Sequence, residues 1–369
     1  MATFVPGLQL CSAFYSEAVQ PLLAKEFAGV RYAAARVGQG SEVLGFDTPR
    51  SVDHGWGPRL ELFLSTEDVR RHGARISQVL AQQLPKSVRG WSTHFESHED
   101  GRVAVLAPAQ GPVSHRVLVT DVASWSEQQL GFDATGGVGT LDWLAMPGQR
   151  LAEVTGGAVY HDGTGELTRL RERLAWYPDD VWRYLLACQW VRIGEEEPFV
   201  GRTAEAGDEL GSRVVTARLA REVMRLCLLL SRRYPPYTKW LGTAFTAAPG
   251  TRPIAAALGE AVAAADPGRR QAALCAAYEA AGEWQNSLRL ADPVEPTRRP
   301  FFDRPYPVID GARFAAALMR RIEDPELASL PPAGGVDQYA DSTAVLTAPR
   351  LSRSLMMAVG PDPGAHPAA

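Results

Sequence analysis

The spacing of apolar positions changes along the chain, and each change marks an element. Between residues 8 and 27, Leu8, Phe14, Tyr15, Val19, Leu22 and Leu23 fall at helical intervals, which predicts an opening amphipathic helix. "RYAAARVG" then reads as a short buried strand running into glycines, and "RLELFLS" alternates as a half-buried strand does. "TEDVRRHGARISQVLAQQL" starts on a Ser/Thr cap, carries acids in its first turn and returns to the helical period. "GRVAVLAP" and "SHRVLVTDVASW" are the next strands, with β-branched residues between turn signals. Helix and strand alternate in this way over residues 1–162, which predicts an α/β or α+β domain.

After "VYHDGTGELT" the pattern is helical throughout. From Leu167 to Arg289 the chain is rich in Ala, Leu, Arg and Glu, as in "ELGSRVVTARLAREVMRLCLLLSRRY", and Pro and Gly break it into segments. Residues 163–292 are therefore expected to form a helical bundle. "DPVEPTRRPFFDRPYPVID" is too proline-rich for regular structure and marks a boundary. It opens a segment, 293–350, in which one short helix, "GARFAAALMRRI", packs on the bundle. Residues 351–369 read as a disordered tail.

Composition narrows the class. The 369 residues are 46% hydrophobic and 22% charged, as in ordinary globular proteins, and the net charge of −4 argues against nucleic acid as a partner. Cys11, Cys188, Cys227 and Cys275 are scattered without a CxxC spacing, so they read as core residues in a reducing compartment. No apolar run reaches membrane-spanning length, and the N-terminus lacks the basic start and cleavage site of a signal peptide. A cytoplasmic protein with no membrane partner is the expectation. Composition does not address oligomeric state.

Candidate chemistry concentrates in "GQGSEVLGFDTPRSVDHGWGPR", residues 38–59. Gly40 allows close backbone approach to a ligand, and free N–H groups there, with the Ser41 hydroxyl, suit a phosphate at a helix start. Phosphates bring magnesium, a cation held by carboxylates, and Asp53 has the right sequence relation to supply one from the next strand. Residues i and i+2 of a strand share a face, so Asp-x-Asp would aim two carboxylates at a metal pair, but position 55 is Gly55. The same stretch also reads as a turn with Ser41 as a helix cap.

These residues carry a resemblance. Gly40-Ser41, a spacer and then Asp53 look like the nucleotidyltransferase superfamily of the DNA polymerase β type. "GSEVLGFDTPRSVDHGWGPRL", "LAWYPDDVWRYLLACQW", "EEEPFVGR", "GDELGS" and "RRYPPYTKWLGTAF" resemble, more narrowly, the domain of unknown function 4037 over most of residues 1–310. The resemblance implies an α+β protein: a small mixed sheet with flanking helices, then a helical bundle. It also implies Mg2+-dependent transfer of a nucleotidyl group from ATP or another nucleoside triphosphate to a small-molecule acceptor. Carried over by position, Gly40 and Ser41 hold phosphates and Asp53 binds metal. Asp121 in "VLVTDVASW", Glu61 in "RLELFL" and Asp47 in the spacer are the candidates for the missing second carboxylate. The loss of an acid at Gly55 equally implies a degenerate fold that binds a nucleotide, another ligand or a partner, or one reused for a different reaction.

Three further groups have two readings each. "RRYPPYTKWLG" is either a Pro-broken corner with aromatic packing or a wall in which Tyr237 meets the base and Lys239 the phosphate. Glu195, Glu196, Glu197, Arg202, Asp208 and Glu209 form a charge network at the domain junction or face an acceptor. His54 beside Asp53, and His94 with His98, read as polar surface residues. No P-loop, Rossmann fingerprint, GxSxG elbow or HExxH occurs.

Overall fold

The computed structural model describes residues 3–97 and 104–359. The chain divides into two compact units, Met1–Gly137 with Arg150–Ala175, and Val138–Gln149 with Trp176–Ala369. The expected break at 162/163 thus falls after Ala175, and residues 138–149 go with the second unit. Among the described residues no helix is long and apolar enough to cross a membrane.

In the first unit, α1 (Gly7–Phe14) buries Gly7, Leu10, Cys11 and Phe14 at helical spacing. A π turn, Tyr15–Val19, then leads into α2 (Gln20–Glu26). The wider turn lets the neighbours Phe14 and Tyr15 both enter the core. β1 (Ala33–Arg36) follows, then β2 (Arg59–Phe63) and α3 (Thr66–Gln83). Ser65 caps α3 by accepting the Asp68 N–H at 3.1 Å. Two small ladders come next: β3 (Ser87–Val88) with β4 (Trp91–Ser92), and β5 (Phe95–Ser97) with β6 (Ala104–Leu106). β7 (Arg116–Thr120), α4 (Val122–Leu130), the part of α6 (Gly148–Thr155) from Arg150 onward, β8 (Ala158–Asp162) and α7 (Glu166–Arg173) complete the unit, while α5 (Thr140–Ala145) belongs to the second.

The main sheet has the order β7-β2-β1-β8. β1 runs antiparallel to β2 and β8, and β7 is parallel to β2, so the sheet is small and mixed as expected. Alternation divides its faces. Leu60, Leu62, Val117 and Ala34 pack with Phe14, Val19, Ile76 and Leu80 into one core. Arg59, Glu61 and Phe63, opposite Arg116, Leu118 and Thr120, take the other face. There Trp125 of α4 meets Phe63 edge to face at 5.3 Å.

The second unit is the expected bundle. Its long helices are α8 (Asp179–Glu196), α10 (Glu209–Leu230) and α13 (Pro267–Ser287), joined by α9 (Phe199–Glu205), α11 (Thr238–Thr246) and α12 (Arg252–Ala263). The protein is therefore α+β. The proline-rich segment, expected to be irregular, instead forms the hairpin β9 (Arg299–Phe301) and β10 (Arg304–Val308). A two-stranded ladder leaves outward N–H positions unpaired, which is where strand prolines are tolerated. After α14 (Gly311–Met319), the one short helix expected in 293–350, further helices follow, and only the last of them reaches into the tail expected at 351–369. α15 (Pro325–Ser329), α16 (Val336–Tyr339), α17 (Thr343–Leu346) and α18 (Pro349–Val359) carry the chain to the end of the described residues; the expected disorder beyond lies outside them.

α8 and α14 cross where both lack a side chain. A Cβ on Gly311 would stand 2.4 Å from the Trp190 carbonyl and one on Gly194 3.4 Å from Gly311. Trp190 stacks on Phe314 at 4.5 Å beside this crossing. Glu197, buried just past α8, accepts the N–H groups of Ile309, Asp310 and Gly311 at 2.5, 3.0 and 3.2 Å. Burial pushes its carboxyl up to about 7, against those donors, which favour the charged form. A raised acid pKa gives stability that is complete below the ordinary value of 4.5 and is lost as pH rises through about 7. Glu197→Ala should cost about 2–4 kcal/mol, because it strands buried N–H donors. It should also flatten the fall in urea-unfolding stability across that pH window, and an unchanged pH profile would contradict the assignment.

Candidate functional site

The Gly40–Ser41 turn is built around a buried arginine. Arg36 ends β1 with its side chain fully buried. Its Nε donates to Glu42 Oε1 at 2.8 Å and Nη1 to Glu61 Oε1 at 3.1 Å, with Nη1 also reaching the Val37 carbonyl at 2.7 Å. Nη2 lies 2.7 Å from Glu42 Oε1 and donates to the Gln39 carbonyl. Glu61 is held from its other oxygen as well, accepting the Val37 N–H at 3.0 Å. Arg59 lies at the edge, 3.9 Å from Glu42, and burial together with the Arg36 charge pushes it down to about 10. Cys11 sits beside the cluster, its thiol pushed up to about 12 by burial. Burial alone would lower the Arg36 pKa, but Glu61 and Glu42 hold it above the ordinary value.

This cluster explains Gly40. Its φ is +154°, and a Cβ there would come within 2.5 Å of Arg36 Nη2 and of Glu42 Oε2. The missing side chain makes room for an ion pair inside the protein. Ser41 opens a turn closed by the Phe46 N–H donating to the Ser41 carbonyl at 2.8 Å, and no helix starts there, in contrast to the expectation.

Asp53 lies at the end of a 3₁₀ turn, Pro49–Asp53, and not on a strand. Its carboxylate pairs with His54 Nδ1 at 2.9 Å, and both side chains are 57% exposed. Gly55 has φ +64° and donates its N–H to the Ala104 carbonyl at 2.8 Å. The alternation that would place residues 53 and 55 on one face therefore does not operate. β2 begins only at Arg59 because Gly57, whose Cβ would meet Leu106 at 2.9 Å, and Pro58 intervene.

The other carboxylates are committed elsewhere. Asp121 is past the end of β7 and caps α4, accepting the Ser124 N–H and hydroxyl, each at 2.8 Å. Glu61 pairs with Leu118 in the register, so Asp121 is three residues further along, about 10 Å at strand rise. Asp47 accepts the Gly7 N–H at 2.7 Å and Trp56 Nε1 at 3.1 Å, fixing the start of α1. Among the described residues no group of three or more His, Cys, Asp and Glu is placed to hold a metal. A magnesium pair needs open carboxylate oxygens. Here a guanidinium fills the space between Glu42 and Glu61, so those two carboxylates are not open to an ion, whereas the Asp53 carboxylate is exposed.

Tyr237 and Lys239 lie in the second unit. The Tyr237 N–H donates to Gln149 Oε1 at 3.1 Å, and Lys239 lies over the Trp240 ring at 4.8 Å. The acidic group serves structure: Glu196 pairs with Arg218 at 2.7 Å, Asp208 caps α10, and Glu209 meets Arg213 at 2.8 Å and Arg270. All these residues belong to the helical unit. His94 accepts the Ser114 N–H on Nδ1 at 2.8 Å, and His98 lies outside the described residues. Arg36 and Glu42 were missed from sequence. The available signal was an arginine flanked by Ala33–Ala35 and Val37, since a charge inside a buried strand must be paired.

A mixed sheet with an arginine-centred loop, accompanied by a helical unit, is the class of protein this geometry defines. Residues 143–241 match the family described as "Domain of unknown function (DUF4037)", so the family resemblance holds over that segment. A crystal structure of a nucleotidyltransferase-like protein from Exiguobacterium sibiricum is similar at 14% identity and a TM-score of 0.30, covering 76% of this chain and 79% of that one. No curated protein matches.

Arg36→Ala should destabilise the first unit by about 3–5 kcal/mol in denaturant unfolding, since it leaves Glu42 and Glu61 buried without their cation. Adding Glu42→Gln and Glu61→Gln should recover part of that loss. A triple variant no more stable than Arg36→Ala would show that charge pairing is not what Arg36 supplies.

Proposed function

We propose that the N-terminal unit is a catalytically degenerate nucleotidyltransferase-like domain that binds a nucleotide or a related small ligand without a magnesium pair. One observation carries this reading: the Arg36 guanidinium bridges Glu42 and Glu61, where a divalent ion would need open oxygens. Gly55 supports it from the sequence side, as it supplies no second acid beside Asp53. Gly40 and Ser41 remain the ligand-facing candidates of this unit, with Tyr237 and Lys239 those of the other, and Asp53 is the metal-binding candidate only of the active alternative. In the active alternative, Asp53 with Asp121 or Glu61 would hold Mg2+ while an acceptor attacks the α-phosphate. With Glu61 as the second ligand that alternative requires Arg36 to give up a partner, and with Asp121 it requires the α4 cap on Ser124 to open. A cytoplasmic setting goes with the proposal, and the four cysteines are buried free thiols.

The test is calorimetric titration of the full chain with ATP, GTP, CTP and UTP, with magnesium and with chelator, alongside pyrophosphate release in the presence of small hydroxyl and amine compounds. Binding of equal strength in both conditions, unchanged in Asp53→Ala and without pyrophosphate release, is the expected result. Magnesium-dependent binding abolished by Asp53→Ala would restore the transfer reaction. No binding at millimolar nucleotide would remove nucleotides from the proposal.

A further inference from the structure

The helical unit contains a second buried arginine whose partner comes from far away in the sequence. Arg225 of α10 is 2% exposed, and its Nη2 meets Asp337 Oδ1 at 2.9 Å. Glu222, one turn earlier, is engaged by Gln189 Nε2 and Arg221 Nη1, each at 2.7 Å, and by Arg192 Nε at 3.4 Å. Asp337 Oδ2 accepts the Gly148 N–H at 2.7 Å, so a guanidinium and a backbone N–H hold the two oxygens of one carboxylate. Gln338 extends the fit: its Nε2 donates to Gln189 Oε1 at 3.2 Å and its carbonyl accepts Arg192 Nη1 at 2.7 Å. A void of about 10 Å³, room for about one water, lies beside Trp143, Tyr177, Leu229 and Pro235.

The pocket lies inside the family-matched segment and its occupant outside it. Gly148, Gln189, Arg192 and Arg225 all lie in the 143–241 segment that matches the family, and Asp337 does not. The occupant arrives on the single turn of α16, entered through Gly334 at φ +108°. Gly335 follows, and a Cβ on it would stand 2.8 Å from the Leu144 carbonyl. Tyr184 tethers the approach by donating its hydroxyl to the Pro331 carbonyl at 2.8 Å, and Arg353 of α18 pairs with Asp142 of α5. A short strap with little structure of its own thus delivers one carboxylate into a polar recess made by longer helices.

We propose that the helical unit has a carboxylate-binding site, formed by Arg225 and the Gly148 N–H, which Asp337 of the C-terminal strap occupies as an internal ligand. The class of free ligand it takes is a small carboxylate. Glu222 also attracts Arg225, but its oxygens are engaged by Gln189, Arg192 and Arg221, so without Asp337 the guanidinium loses its hydrogen-bonded carboxylate and the site favours an anion in that place. This inference is independent of the metal question in the other unit.

Asp337→Ala removes the carboxylate and opens space beside Arg225, and sodium acetate is the probe. In the full chain, the variant should melt below wild type, and acetate should raise its Tm saturably by a few degrees while sodium chloride at equal ionic strength does not. Wild type and the double variant Arg225→Ala/Asp337→Ala should show no such acetate response. If Asp337→Ala fails to fold in chloride, recovery of a cooperative transition in acetate carries the same meaning. An acetate response equal in wild type or in the double variant, or none in Asp337→Ala, overturns the proposal.

Discussion

A guanidinium fully buried at the end of β1 sets the geometry of the first unit. Such a charge is tolerated only when its donors are used and its counter-ions are close. Arg36 meets that demand by drawing in Glu42 from the turn, Glu61 from β2 and two carbonyls of residues 37–39. Each partner fixes a neighbour. Glu61 also takes the Val37 N–H, which secures β1 to β2 beyond their last paired residues. Glu42 occupies the place a side chain at Gly40 would need, so the turn can pass only with glycine there. The same residues that resemble a phosphate cradle are thus constrained first by the need to bury an ion pair.

The helical unit repeats this logic with other elements. Glu197 binds three N–H groups at the start of α14, and Arg270, with no exposed side chain, donates to Ser212 and Glu209 of α10. Arg225 completes the set with Asp337. In each case a charge on a long helix or just past its end meets groups distant in sequence. A buried charge tolerates few alternative partners, so these contacts select which segments dock where, whereas the surrounding Leu and Ala would pack in several registers.

What the sequence made legible follows the same division. Period alone located α3, β2 and the bundle, because their apolar faces are continuous and capped, as Ser65 caps α3. Period could not locate the turn at 41–45 or the 3₁₀ turn at 49–53, where conformation depends on Arg36 and on the Gly55 N–H meeting Ala104 across the chain. "VLVTDVASW" looked like one strand because its apolar residues are continuous, yet Asp121 caps a helix in the middle of it. The hairpin at 299–308 and the strap at 336–339 were invisible for a related reason: both take their order from partners in other segments.

Gly55 therefore has a different meaning in three dimensions from its meaning in the motif. At φ +64° an aspartate is among the few residues that position accepts, so Gly55→Asp is sterically mild. Residues 53 and 55 lie in irregular backbone ahead of β2, so the period-two rule that aims Asp-x-Asp at one ion pair has no strand to act on. The acids on and near the sheet, Glu42 and Glu61, already neutralise Arg36, and a dication brought between them would face a guanidinium of the same sign. A dication between Glu42 and Glu61 would thus have to displace Arg36, whatever residue stands at position 55.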